Sequence, residues 1–319
     1  MLNPLAMNPA LPPRLKEAAD ALLEGVSRKD LAAHSTAISK EYRAGGGSAR
    51  VVKSETDSLA YLVARLPATY AVNAAVLAEV RAAAPDFAPT HVLDAGAGPG
   101  TATWAARETW PALAHATLTD SNAEFLDLAR KLVPNAEFLA RNLTAEALPS
   151  ADLIIASFVI AEIAEPSSVV AKLYAATTDV LVLIEPGTPA GFERIRAART
   201  QLIGQGANVL APCTHANTCP MTRTDWCHFT QRLPRSRDHM QTKGANVPYE
   251  DERYAYIAVS KTRRSTNEGK ARILAPPRES KPGIELKLCT PEGLENRFIP
   301  KRNKQTFAAV RKADWGDVV

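Results

Sequence analysis

Val92-Leu93-Asp94-Ala95-Gly96-Ala97-Gly98-Pro99-Gly100-Thr101 is the stretch that decides the fold. Its first half is a short apolar run, His91 to Asp94, that ends in an acid and reads as a buried strand. Three glycines at alternate positions follow, and glycine lets a backbone turn tightly and approach a ligand with no Cβ in the way. From Thr101 to Glu108 the residues suit a helix, whose first turn carries unbonded N–H groups. A glycine loop by itself is often a plain turn; between a strand and a helix it becomes a candidate ligand cradle.

Outward from this loop, strands alternate with helices for about 110 residues. Strands are expected at Ala116 to Thr119, Ala136 to Ala140, Ala151 to Ser157 and Asp179 to Ile184. Helices are expected at Ala123 to Val133, Ser167 to Thr178 and Ala190 to Ile203. That rhythm implies βαβ units around a parallel sheet, so the fold class is α/β and Rossmann-like. Before it lies a helical lead-in: Leu15 to Val26, Lys29 to Tyr42 (broken by Gly45-Gly46-Gly47), Thr56 to Leu66 and Ala68 to Ala84, the last two parted at Pro67. After it come a Cys-, Pro- and Thr-rich loop from Ala211 to Trp226, a strand at Tyr254 to Val259, and a basic segment with short strands at Ile284 to Leu288 and Arg297 to Ile299. The chain is expected to divide into a helical region 1–87, an α/β domain 88–261 with the Cys-rich loop 211–230 inserted, and a basic β-rich appendage 262–319.

Composition narrows the classes. The 319 residues are 46% hydrophobic and 23% charged, enough for an ordinary core and against wholesale disorder. No apolar run approaches the ~20 residues of a membrane helix, and no membrane partner is expected. Met1 to Asp20 has neither the layout of a secretion signal nor the acid-free, Arg-rich character of a transit peptide, since Glu17 and Asp20 come early. The expected compartment is therefore a bacterial cytoplasm in preference to a mitochondrial matrix, and the expected state a monomer. The net charge of +4 hides an uneven spread: Lys261 to Lys312 holds 14 Lys or Arg against 5 Glu, a local +9. Arg263, Arg264, Lys270, Arg272, Arg278, Lys281, Lys301, Arg302 and Lys304 suit phosphate contacts there, and Arg232, Arg235, Arg237 and Lys243 add to them.

The four cysteines, Cys213, Cys219, Cys227 and Cys289, are spaced C-x5-C-x7-C-x61-C. In a reducing compartment such clustering points to a metal instead of disulfides. Four thiolates suit structural zinc or an iron–sulfur cluster. The C-x2-C knuckles of zinc sites are missing and Cys219-Pro220 resembles the Cys-Pro that often ends ferredoxin motifs, whereas His215 and His228 as ligands would favour zinc. Because Cys289 lies in the basic segment and the other three do not, a shared ligand would pin that segment to the α/β domain.

The loop's G-x-G-x-G spacing differs from the G-x-G-x-x-G of dinucleotide binders and resembles motif I of class I S-adenosylmethionine (SAM)-dependent methyltransferases, over about residues 88 to 205. The resemblance implies a SAM site built from Asp94, Gly96, Gly98 and Gly100. It implies Asp120, 26 residues after Asp94, at the ribose hydroxyls, Asn142 near the adenine, and Ser157 and Phe158 toward the methionine part or the acceptor. Glu162 and Glu185 are candidate proton acceptors, and no motif names a catalytic residue or an RNA base.

Over nearly the whole chain the sequence resembles the methyltransferase-like proteins of small ribosomal subunit assembly. The resembling blocks are Leu66-Pro67-Ala68-Thr69-Tyr70-Ala71, Asp94 to Gly100, Glu185-Pro186-Gly187, Ala211-Pro212-Cys213-Thr214-His215, Cys219-Pro220 and Asp225-Trp226-Cys227-His228-Phe229, with Tyr249-Glu250-Asp251-Glu252 and Leu288-Cys289-Thr290-Pro291-Glu292-Gly293. This resemblance implies the small subunit and its rRNA as partners, and a [4Fe-4S] cluster on Cys213, Cys219, Cys227 and Cys289. It leaves open a methyltransferase acting on rRNA or a non-catalytic assembly factor that binds SAM.

Overall fold

The computed structural model describes residues 9–43, 47–222 and 224–319. Gly45 and Gly46, expected with Gly47 to break the second helix, and the first eight residues of the expected helical region lie outside the described residues.

The lead-in is helical: α1 (Pro13–Leu22), α2 (Arg28–Arg43), the single turn α3 (Ser48–Val51), α4 (Glu55–Ala64) and α5 (Leu66–Ala83). Ser54 caps α4 by accepting the Asp57 N–H. Pro67 sits in the first turn of α5, where its missing N–H costs nothing, and α4 and α5 meet at a 53° bend.

The α/β part follows as β1 (His91–Ala95), α6 (Thr101–Thr109), β2 (His115–Asp120), α7 (Ala123–Leu132), β3 (Glu137–Ala140), β4 (Ala151–Ser157), α8 (Pro166–Ala176), β5 (Thr177–Pro186) and α9 (Pro189–Gly204). Then come β6 (Asn208–Ala211), β7 (Phe229–Pro234), α10 (Arg237–Lys243) and β8 (Tyr249–Ser260). The strands form one sheet in the order β3-β2-β1-β4-β5-β8-β6, with β7 on the outer half of β8. β1 to β5 run parallel; β8 enters antiparallel between β5 and β6. This is a Rossmann-like methyltransferase sheet, and the order reverses at β1/β4, where open α/β sheets leave a crevice at the strands' carboxyl ends.

Alternation along the strands feeds two cores. Leu153 and Ile155 of β4, with Val180, Val182 and Ile184 of β5, face the lead-in helices through Leu62, Tyr70 and Leu77. Ile154, Ala156, Leu181 and Leu183 face α8 and α9 through Val169, Leu173, Ile195 and Leu202. Both faces are covered, which is why β5 reads as an unbroken apolar run. The α4–α5 pair is apolar because it is core: Leu59, Leu62, Leu66 and Val76 are all buried. No single helix among the described residues is long and apolar enough to cross a membrane.

A second sheet holds β9 (Arg272–Ile273), β10 (Arg278–Glu279), β11 (Gly283–Thr290) and β12 (Gly293–Pro300), ordered β10-β11-β12 with β9 also on β11, and α11 (Lys304–Val310) packs on it. Ile273, Ile284, Leu286, Leu288, Ile299 and Val310 form its core. The chain returns through Val319, whose N–H and C=O both pair with Ala271.

Candidate functional site: the glycine-loop cleft and the cysteine pocket

A cleft of about 1070 Å³ opens at the carboxyl ends of β1, β2 and β4. The glycine loop forms its floor. Gly96, Gly98 and Gly100 all have positive φ, which the missing side chains make easy. A Cβ on Gly96 would stand 2.5 Å from Val159 Cγ2, so that glycine is also needed for packing. Gly100 caps α6 and does not line the cleft. Thr101 and Ala102, at the start of α6, do. The helix therefore presents its start, Thr101 and Ala102, toward the opening, a favourable setting for anionic or electron-rich groups.

Asp94 is buried below the loop, its Oδ2 accepting from Thr103 N at 3.0 Å and Thr103 Oγ1 at 2.9 Å. Burial pushes its carboxyl up to about 7 against the pull of those two bonds. Asp120 stands across the loop: Gly98 N donates to its Oδ2 at 2.8 Å and Asn122 N to its Oδ1 at 2.8 Å. Burial raises its pKa while those backbone bonds oppose the rise. A carboxylate offers about four acceptor sites, so acceptor capacity remains beyond these backbone bonds. Asn142 also lines the cleft, its carbonyl oxygen taken by Thr144 N and Oγ1. Ser157 accepts from Asn73 Nδ2 at 3.0 Å. Phe158, at φ +59°, is half-buried between cleft and core, a conformation that side chains other than glycine rarely adopt.

The eight predicted positions thus gather around one opening, seven of them lining it and Gly100 shaping the turn beneath. The opposite wall comes from residues that the sequence did not single out as a site: Tyr61, Arg65 and Thr69 of the lead-in helices. Tyr61 stacks edge-on against Phe125, centroids 4.8 Å apart. Arg65 is fixed by Glu252 of β8 at 2.9 Å. Thr69 lies in the Leu66 to Ala71 block that carried part of the resemblance. Of the two candidate proton acceptors, Glu162 lines the cleft. Glu185 does not; it is fully buried and ion-paired to Arg194 Nε at 2.6 Å.

The cysteines converge. All four are free, half-buried, and line one small cavity of about 40 Å³ together with His215 and Met221. His215 Nε2 is 3.4 Å from Cys289 Sγ. His228 is turned away, stacked on Trp226 with its Nδ1 3.1 Å from the Trp226 carbonyl. Burial, and then the neighbouring cysteines, push the Cys289 thiol up to about 12 and Cys227 well above its ordinary value. The loop is held by Arg199, which donates to the His215 and Asn217 carbonyls at 2.8 Å, and by Arg272, whose Nε donates to the Pro212 carbonyl at 2.8 Å. Among the described residues no three His, Cys, Asp or Glu side chains stand as a single-ion site. Donor chemistry suits a thiophilic group, while the thiols ring the cavity without closing on one point.

The basic residues do not act alike. Arg272, counted above among phosphate contacts, is buried, and Arg263 is paired with Asp179 and Asp86. Arg235 and Lys243 converge on Glu250, and Arg232 on Asp251. These cations already hold carboxylate partners, Arg272 and Arg263 in buried or part-buried pairs and Arg232 at the surface.

The strand order and the loop define a protein of the class I methyltransferase fold. More narrowly, the chain belongs to the family described as mitochondrial small ribosomal subunit Rsm22, whose model matches residues 55–319. It is 27% identical over 289 residues to the human ribosome assembly protein METTL17, mitochondrial, covering 82% of this chain and 62% of that protein. It is 25% identical to the Rsm22-cox11 tandem protein 2, mitochondrial, of Schizosaccharomyces pombe, covering 82% of this chain and 42% of that protein. The chain thus spans less than two thirds of either relative. Solved structures that overlay on it include a SAM-dependent methyltransferase from Aquifex aeolicus, at 15% identity and TM-score 0.41 over 66% of this chain and 100% of that one. Another is the magnesium protoporphyrin IX methyltransferase of Synechocystis with bound SAM, at 14% identity and TM-score 0.40 over 80% and 100%. The fold is read from the strand order itself and not from these loose overlays.

These names correct one expectation. The family and its relatives are called mitochondrial, which overturns the reading of a bacterial cytoplasm. Glu17 and Asp20, the acids behind that reading, belong to the folded helix α1, whose Leu15 and Ala19 are buried. They report on a structural element and carry no address.

Proposed function

We propose that the chain binds SAM in the glycine-loop cleft and acts on or with small-subunit rRNA during ribosome assembly, the human relative being named a ribosome assembly protein. The observation that carries this reading is the meeting of Asp120 with the Gly98 amide at 2.8 Å. An acceptor carboxylate at the end of β2 then lies against the glycine loop, where a ribose would present its hydroxyls. Gly96, Gly98 and the first turn of α6 would bound the amino-acid part, Asn142 the adenine side, and Ser157 and Phe158 the acceptor side. Bound SAM supplies an electrophilic methyl on a sulfonium. The chain's own contribution is to orient the two reactants and exclude water, with Glu162 as the cleft-lining carboxylate to take a proton from the acceptor.

A second reading, an assembly factor that binds SAM without turnover, is favoured by one observation: Glu185 is locked by Arg194 and withdrawn from the cleft. SAM titration by calorimetry tests the site, and transfer of labelled methyl from SAM into small-subunit rRNA separates the two readings. No binding would overturn both.

The cysteine pocket we read as a metal site in which Cys213, Cys219, Cys227 and Cys289 would hold the group. The absence of C-x2-C knuckles and the Cys219-Pro220 pair favour a cluster of the [4Fe-4S] type over zinc. Its chemistry here would be structural: three ligands lie in the loop after β6 and one in β11, so the group would tie the second sheet to the first.

A further inference from the structure

Once the paired and buried cations are set aside, unpaired positive charge concentrates on the second sheet. Arg278, Lys281, Arg302 and Lys304 make no ion pair among the described residues, and Arg302 and Lys304 are exposed at the β12–α11 turn. One face of this sheet is apolar and covered. Ile284, Leu286 and Leu288 of β11 and Ile299 of β12 point into the small core. The other face meets the cysteine loop at Cys289 and Lys287 and is open toward Phe298. Strand register puts Leu294, Asn296 and Phe298 of β12 on it beside Cys289, Lys287 and Glu285 of β11, with Arg278 of β10 next to Glu285. Phe298 is 51% exposed, the most exposed large apolar side chain among the described residues.

Phe298 is not loose. A Cβ built on Gly283 would lie 2.7 Å from Phe298 Cζ, so the ring tip sits over the bare backbone of the neighbouring strand. Half of the ring stays open to solvent. An exposed aromatic on a sheet, with unpaired cations near it, is how sheet surfaces take single-stranded RNA: bases stack on the ring and the phosphates meet the cations. Asn296 and Glu285 flank the ring with polar atoms able to meet a base edge. At the opposite end of this face, Lys287 pairs with Asp225 of the cysteine loop, so the platform and the cysteine pocket share one rigid strand.

We infer that the open face of the second sheet binds single-stranded RNA, with a base stacked on Phe298 and the backbone tracking Arg302 and Lys304. The inference rests on the rRNA reading above and adds the surface and the form of RNA recognised.

The test is anisotropy titration of the intact, metal-loaded chain with a fluorescein-labelled twelve-nucleotide single-stranded RNA, with an RNA duplex as competitor. Phe298→Leu still covers Gly283 but cannot stack; Phe298→Trp both covers and stacks. We expect Phe298→Leu to weaken binding about tenfold with an unchanged salt slope, and Phe298→Trp to bind like wild type with its fluorescence quenched by the RNA. Arg302→Gln with Lys304→Gln should lower the slope of log affinity against log salt by roughly 0.7 per lost phosphate contact. Wild-type affinity in Phe298→Leu overturns the inference and leaves the rRNA reading standing. An equal loss in Leu and Trp, which marks a packing role for the ring, also overturns it. Wild-type protein that binds neither single strand nor duplex overturns the rRNA reading itself.

Discussion

Arg272 Nη1 donates to Glu79 Oε2 at 2.6 Å, across 193 residues of sequence, and both the cysteine loop and the C-terminus hang on the same guanidinium. Its Nε reaches the Pro212 carbonyl, next to Cys213, and Nη1 also reaches the Gly316 carbonyl. Burial works against its charge, and the Glu79 carboxylate facing it offsets that, so it stays charged. One buried cation therefore joins the lead-in helix α5, the loop after β6 and the tail of the second sheet.

Truncating it should be costly, because three acceptors lose their donor at once. Arg272→Ala is expected to cost roughly 3–5 kcal/mol in denaturant unfolding. Arg272→Lys should recover only part of this, since one ammonium cannot replace a fork that spans two directions. Glu79→Gln should cost least, as Glu79 is partly open to water. The reverse order would show that the joint is held by something else.

Asp120 gives the sharpest test of the cleft. Its carboxylate already holds the Gly98 and Asn122 amides, so Asp120→Asn keeps the size and loses acceptor capacity on one side. The expected loss in SAM affinity is about tenfold or more, the worth of one or two hydrogen bonds to a charged acceptor. It would be read as a smaller rise in melting temperature at fixed SAM. An undiminished rise would remove Asp120 from the site.

Asp94 predicts a pH dependence whose sign follows from burial. Its carboxyl titrates near 3.8 when exposed and is pushed up to about 7 in the fold. Between those values the folded chain binds the extra proton, so this group's contribution to stability falls as pH rises from about 4 to 7, by up to about 1.4 kcal/mol per pH unit. Asp94→Asn should flatten that slope, measured by denaturant melts across the window, and should gain relative to wild type at pH 8 over pH 5. Parallel curves for the two proteins would contradict the assignment.

Much of this was legible in the sequence for physical reasons. β4 and β5 are buried on both sides, so Leu153 to Ala156 and Val180 to Ile184 show as apolar runs, and Gly96 to Gly100 between strand and helix marks the cleft. What was hidden depends on distant partners. β6 has only four residues, and β7, Phe-Thr-Gln-Arg-Leu-Pro, ends in a proline and pairs only because β8 runs past it. Tyr61 and Arg65 reach the cleft because the lead-in helices fold over the sheet, which no local period reveals. Nor does a charge count separate Arg272, turned inward, from Arg302, turned outward.

The cysteines close the argument, because their loop and their strand come from different sheets. Burial and mutual repulsion raise the thiols of Cys219, Cys227 and Cys289, and a bound metal must displace their protons. Metal loading should therefore strengthen as pH rises. Purified without oxygen, the chain is expected to show broad visible absorbance with iron and acid-labile sulfide; a colourless protein with one zinc would make the site a single-ion staple instead. Cys289→Ser is the informative variant: it removes the single ligand on β11 and leaves the three of the loop intact. If the group ties the two sheets together, Cys289→Ser and metal removal should each raise proteolysis between Ser260 and Gly283 to the same extent, and combining them should add nothing further. Additive effects would mean that Cys289 stabilises β11 by packing and that the metal, if held, is held by the loop alone.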